Sequence, residues 1–135
     1  MPVVDASVVV TVLIRGEGAD WAEEQLSRTG GDHSLWVPHL IDAEVGNSLR
    51  RRVAARKLQD DRASDALGRF AEFPLRRIVH TGLLDRAWQL RHNLSFYDGL
   101  YVALAEGLET SLLTLDSRLA RAAVKATAVE VLTPS

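Results

Sequence analysis

The chain has 135 residues, 47% of them hydrophobic and 25% charged, an ordinary composition for one globular domain and not for a disordered segment. No apolar run approaches the ~18 residues of a membrane-spanning helix, and the absence of cysteine excludes a disulfide framework, a thiolate zinc site and a thiol nucleophile. With 16 basic and 18 acidic residues the net charge is −2, so the chain as a whole lacks the basic footprint that phosphate binding usually leaves. Met1-Pro2-Val3-Val4-Asp5 has no cationic flank ahead of an apolar stretch, and the expectation is a cytoplasmic protein with one domain over residues 1–135.

In chain order, Pro2 to Asp5 reads as a strand. Helical patterns follow around Asp20–Ser27, Leu40–Ala55 and Gln59–Phe73, with a short strand Leu35-Trp36-Val37 closed by Pro38 and another at Arg76–His80 opened by Pro74. Helices are expected over about Leu83–Leu94, Tyr97–Leu108 and Ser117–Lys125, and strands at Ser111–Leu115 and Val129–Leu132. Alternation of β and α at this spacing implies an α/β fold, a central, mostly parallel sheet of about five strands flanked by helices. Val8 to Ile14 is ambiguous: its β-branched composition favours an extension of the first strand, whereas Ser7 offers the N-cap of a buried helix.

Ligand sites in open α/β sheets lie beyond the carboxyl ends of strands, which directs attention to Asp5 and Asp116, each at the end of an apolar run. Either also suits the N-cap of the helix that follows. Ser95 to Asp98 has the form of a capping box, yet at 100° per residue Asp98 shares an arc with Tyr101, Val102 and Ala105, opposite Gly99 and Glu106. A carboxylate on that inward arc needs a partner. On the helix after Pro38, Glu44 borders the stripe of Ile41, Val45, Leu49 and Val53, and Asp42 lies nearer its centre, so periodicity does not select Glu44. If three or four of these acids converge, they repel one another unless a cation intervenes, and oxygen ligands suit Mg²⁺ or Mn²⁺. Such sites serve phosphate chemistry.

Four segments taken together carry a family resemblance: Val4-Asp5-Ala6-Ser7, Pro38-His39-Leu40-Ile41-Asp42-Ala43-Glu44-Val45, the run from Ser95 to Ala105, and Leu113-Thr114-Leu115-Asp116-Ser117-Arg118-Leu119. In order, spacing and length the chain resembles the PIN-domain ribonucleases, and within them the VapC toxins of toxin–antitoxin pairs. The resemblance implies a single PIN-like domain, metal-dependent endoribonuclease activity with Mg²⁺ or Mn²⁺, and an acidic set of Asp5, Glu44, Asp98 and Asp116, Glu44 acting through a water or as a base. It further implies that Ser7 orients the first aspartate, that Asn47 gives polar support, that the chain turns into a helix after Asp5, and that Gly99 stands where Ala is commoner. A VapB-like antitoxin and a homodimer are the implied partners, with Leu83, Leu84, Ala87 and Trp88 as a candidate dimer surface. A housekeeping RNA-processing nuclease of the same fold is the alternative.

Arg50, Arg51 and Arg52 fall late in the Glu44 helix, where cations complement the dipole or contact an RNA backbone. His33, His39, His80 and His92 show no metal-ligand spacing, and Trp21, Trp36 and Trp88 are not interleaved with arginine. A phosphoacceptor signalling domain requires an acidic pair after the first strand and a lysine after a late one; Lys57 and Lys125 follow no strand. Neither lysine lies in a phosphate-binding glycine loop.

Overall fold

The computed structural model describes residues 1–28 and 35–134; His33 lies outside them. The five strands of the described residues are β1 (Val3–Val4), β2 (Leu35–Pro38), β3 (Leu75–Ile78), β4 (Leu112–Leu113) and β5 (Val131–Leu132). They form one sheet in the order β3-β2-β1-β4-β5, every pairing parallel. The seven α-helices of the described residues are α1 (Ala6–Ile14), α2 (Ala19–Ser27), α3 (Leu40–Ala54), α4 (Asp60–Phe70), α5 (Leu84–Gln89), α6 (Phe96–Gly107) and α7 (Ser117–Ala126). The chain winds outward from β1 through β2 to β3, then crosses back to lay β4 on the other side of β1. With right-handed crossovers, α1 to α4 cover one face and α5 to α7 the other. The reversal sets the carboxyl ends of β1 and β4 side by side, the position at which α/β sheets open a crevice.

Val8 to Ile14 is helical, against its β-branched composition. β1 stops after two residues because Asp5 caps α1, its side chain accepting from the Val8 amide; the cap is therefore Asp5 and not Ser7. The helix is apolar on more than one side: Val8 and Val9 are fully buried and Val10 and Leu13 nearly so, packed among α2, α3 and α4. Burial of four aliphatic side chains, each worth about 1.5–3 kcal/mol, outweighs a propensity difference of a few tenths per residue.

The helix expected over Leu83–Leu94 is shorter. A 3-10 turn (His80–Leu83) leads into α5, which ends where the Leu90 amide is shared between the Arg86 and Ala87 carbonyls. Gly99 does not face a polar side of α6 but is buried against α5: a Cβ there would lie 3.2 Å from the Ala87 carbonyl oxygen and 3.3 Å from its Cα. Arg86 and Glu106 close the same contact with a salt bridge of 2.6 Å. Ala87 thus lies inside the molecule; of the four candidate dimer residues, Leu84 and Trp88 are exposed and Leu83 is half-buried. On the exposed side of α4, a methyl group added at Gly68 would meet nothing within 4 Å. Gly68→Ala should therefore raise stability by about 0.5–1 kcal/mol, the usual helix-interior gain, whereas Gly99→Ala should forfeit that gain against Ala87. Urea denaturation of the two variants measures the difference.

Candidate active site

At the end of β1, Asp5 is 5% exposed. Its Oδ1 accepts from the Ser7 hydroxyl at 2.6 Å and from the Val8 amide at 3.3 Å, and its Oδ2 accepts from the Thr114 hydroxyl at 2.7 Å. Each hydroxyl also accepts a backbone amide from the segment after β4, Leu115 onto Ser7 (3.0 Å) and Asp116 onto Thr114 (2.9 Å). One carboxylate thus ties the ends of β1 and β4 together. Loss of water around it is the largest influence and pushes its pKa up to about 6, although the three donors pull the other way. Ser7, expected to orient the first aspartate, donates its hydroxyl to it. Thr114 was not anticipated as a site residue; the available signal was a hydroxyl in an otherwise apolar strand run, two residues before Asp116.

Glu44, on α3, accepts a 2.6 Å hydrogen bond at Oε1 from the hydroxyl of Tyr101, which is 1% exposed on α6. Burial and the nearby Asp98 raise the Glu44 pKa, and burial with the Glu44 charge drives that of Tyr101 far up, so Tyr101 acts as a donor. Tyr101 was visible from sequence only as a member of the inward arc. Asp42 is exposed and paired with Arg77 (2.8 Å) on the neighbouring β3; the stripe that placed it near the apolar centre misjudged the face, because α3 turns Ala43 and Glu44 toward the cleft.

Ser95 caps α6, its Oγ accepting from the Asp98 amide at 3.0 Å, while the Asp98 carboxylate is half-buried. Its pKa is raised by burial and then by Asp116. Asp116 caps α7, accepting at Oδ1 from the amides of Arg118 (2.9 Å) and Leu119 (3.2 Å). For Asp5 and Asp116 the capping position and the cleft position coincide; the Asp98 carboxylate caps nothing and faces the cleft.

Asp5, Ser7, Glu44, Asn47, Asp98 and Asp116 all line one cleft of about 590 Å³, with Arg51, Arg52, Tyr97 and Tyr101. Arg52 is held by the Ser48 hydroxyl. Arg50 points elsewhere, lining the groove between α3 and α4 and donating to Asn47. The donor set is carboxylate and hydroxyl oxygen, which suits a hard divalent cation, and repulsion at Asp98 is felt by Asp5 and Glu44 alike. Among the described residues no group of three or more acids or histidines stands close enough together to hold a metal ion as it is; the fit lies in the kind of donors and their shared cleft, and binding would have to draw the carboxylates together.

A fully parallel sheet with acidic side chains gathered at its β1/β4 crevice defines the class of protein. The PIN domain family model matches residues 3–125, and the chain belongs to the PIN-domain family, with VapC proteins among its relatives. It is 43% identical over 127 residues to Ribonuclease VapC1 of Mycobacterium tuberculosis, covering 89% of both chains, and 42% identical over 124 residues to VapC ribonuclease Mb0985 of Mycobacterium bovis, covering 88% of both. The structure of VapBC2 from Rickettsia felis bound to a promoter DNA fragment shares the fold, with a TM-score of 0.70 over 98% of both chains at 11% identity.

The raised Asp5 pKa predicts an unusual pH dependence. The folded state keeps a proton on Asp5 up to about pH 6, whereas the unfolded chain releases it near 3.8. Stability is therefore greatest below this window and falls as pH rises through 6, by up to about 3 kcal/mol for a shift of this size. Metal-free protein should resist urea better at pH 5 than at pH 8, and Asp5→Asn should flatten the difference. A wild-type midpoint that climbs from pH 5 to 8 contradicts the burial assigned to Asp5.

Proposed function

We propose that the protein is a ribonuclease that hydrolyses RNA phosphodiesters with Mg²⁺ or Mn²⁺, and that it is the toxin of a toxin–antitoxin pair. The observation that carries this reading is that all four expected acids, Asp5, Glu44, Asp98 and Asp116, line one cleft in a chain 42–43% identical to VapC ribonucleases. Asp5, Asp98 and Asp116 would hold the cation; when bound, it supplies positive charge beside the phosphodiester and eases ionisation of the attacking water. Glu44, held through Oε1 by Tyr101, would take the proton from the attacking water as its oxygen bonds to phosphorus and one P–O ester bond breaks, the departing oxygen taking a proton from solvent. Its raised pKa brings it nearer the working pH of a general base. Ser7 and Thr114 donate their protons to Asp5 and fix both its oxygens. Arg51 and Arg52 line the cleft and would meet flanking phosphates; Arg50 lines the neighbouring groove instead.

The reading includes one domain over residues 1–135, a cytoplasmic location, a homodimer and a VapB-like antitoxin whose arginine would compete for the carboxylates. No helix of the described residues is long and apolar enough to cross a membrane. An antitoxin distinguishes this reading from an RNA-processing nuclease of the same chemistry.

EDTA should abolish RNA cleavage and added Mg²⁺ or Mn²⁺ should restore it. Asp5→Asn and Asp98→Asn should yield folded, inactive proteins, with Asp98→Asn at least as stable as wild type at pH 8 because it removes repulsion from the cluster. Glu44→Gln should lower kcat by at least about 100-fold, the usual scale of a lost general base, while Asp42→Asn, which loses only an exposed ion pair, should remain active. Full cleavage in chelator would overturn the metal assignment. Expression alone should arrest growth in an Asp5-dependent manner, and co-expression of the adjacent small reading frame should relieve it.

A further inference from the structure

Tyr97 lines the cleft from the first turn of α6, one residue before Asp98, yet carboxylate chemistry makes no use of it. Its side chain is 60% exposed, and the described residues give it no hydrogen bond, ion pair or ring contact. Three other rings have a guanidinium group over them: Arg76 over Trp36 and Arg77 over Phe70 at 5.3 Å, Arg91 over Trp88 at 4.4 Å. Tyr97 presents its ring instead beside a polar, charged cleft. The same cleft is bounded from α3 by Arg51 and Arg52, so an aromatic face and two cations flank one acidic site.

Resting on the ribonuclease reading, we infer that Tyr97 is the stacking platform for an unpaired base of the nucleotide next to the phosphodiester held at the carboxylates. An anionic backbone bound by Arg51 and Arg52 carries bases that must go somewhere, and a ring at the rim takes up a base face that would otherwise stand in water. A base within an A-form duplex is stacked on its neighbours and out of reach of Tyr97. The platform therefore selects single-stranded segments, and because every base has a π-face it selects strandedness rather than base identity.

The test measures anisotropy of a labelled, short single-stranded RNA with Mg²⁺ in an Asp98→Asn background, which binds without cutting, and kcat and KM in the otherwise native protein. Tyr97→Ala should weaken binding by about 10- to 100-fold, the scale of one lost stacked base, and raise KM in proportion, with an unchanged melting temperature. Tyr97→Phe should keep both values, since the hydroxyl is not used. An abasic nucleotide beside the cleavage site should weaken wild-type binding to the Tyr97→Ala level and add nothing in the Tyr97→Ala protein. Tyr97→Ala binding equal to wild type, or duplex RNA cut as fast as single strands, overturns the platform while leaving the nuclease intact. A wild-type protein that cuts no RNA overturns the ribonuclease reading itself, and the platform with it.

Discussion

The arrangement of the cleft depends on the buried carboxylate of Asp5. It ends β1, starts α1 and receives the only protons of the Ser7 and Thr114 hydroxyls. Those hydroxyls in turn accept the Leu115 and Asp116 amides, so the path out of β4, and with it the position of Asp116 and the start of α7, is set by the same group. Three donors do not make up for the lost water, and the carboxylate stays reluctant to ionise. Such a residue is costly for stability alone, which is consistent with a site prepared for a cation.

Charge accounts for the rest of the cleft. Burial is the main cause of the raised pKa values of Asp5, Glu44 and Asp98; Asp98 adds to those of Asp5 and Glu44, and Asp116 adds to that of Asp98. Arg51 eases Glu44 and Arg118 eases Asp98 without cancelling burial. A phosphate approaching these carboxylates would meet repulsion unless a cation lay between them, so under the proposed reading metal and substrate binding favour one another. Arg51 and Arg52 line the same cleft from α3, so two cations stand beside the acidic group.

Helix caps and the lining of the cleft share residues here. Asp5 and Asp116 cap α1 and α7, and Asp98 donates its amide to the Ser95 cap. A helix N-terminus at the carboxyl end of a parallel strand directs its amides and its positive dipole end to the sheet edge, so a carboxylate that satisfies those amides also reaches the crevice. For Asp5 and Asp116, capping a helix and lining the cleft are therefore compatible.

The alternation of apolar runs and helical periods was enough to read a parallel α/β sheet and most of its elements, because burial of periodic faces is a local property of the chain. The same holds for Ser95 and its cap, and for Asp5 and Asp116 at strand ends. Glu44 was selected by resemblance alone. Its separation from Asp42 was decided by β3, where Arg77 draws Asp42 to the surface, and by α6, where Tyr101 holds Glu44; partners 35 and 57 residues away leave no mark on a helical wheel. The helix in Val8 to Ile14 needed the surrounding α2, α3 and α4 to bury it, since β-branched propensity points the other way. Thr114, and Gly99 beneath Ala87, likewise acquire their roles only from groups that meet them across the fold. Sequence thus determined which segments become strands and helices and which acids stand at their ends; tertiary contact decided which carboxylates share a cleft, because that depends on faces that only packing orients.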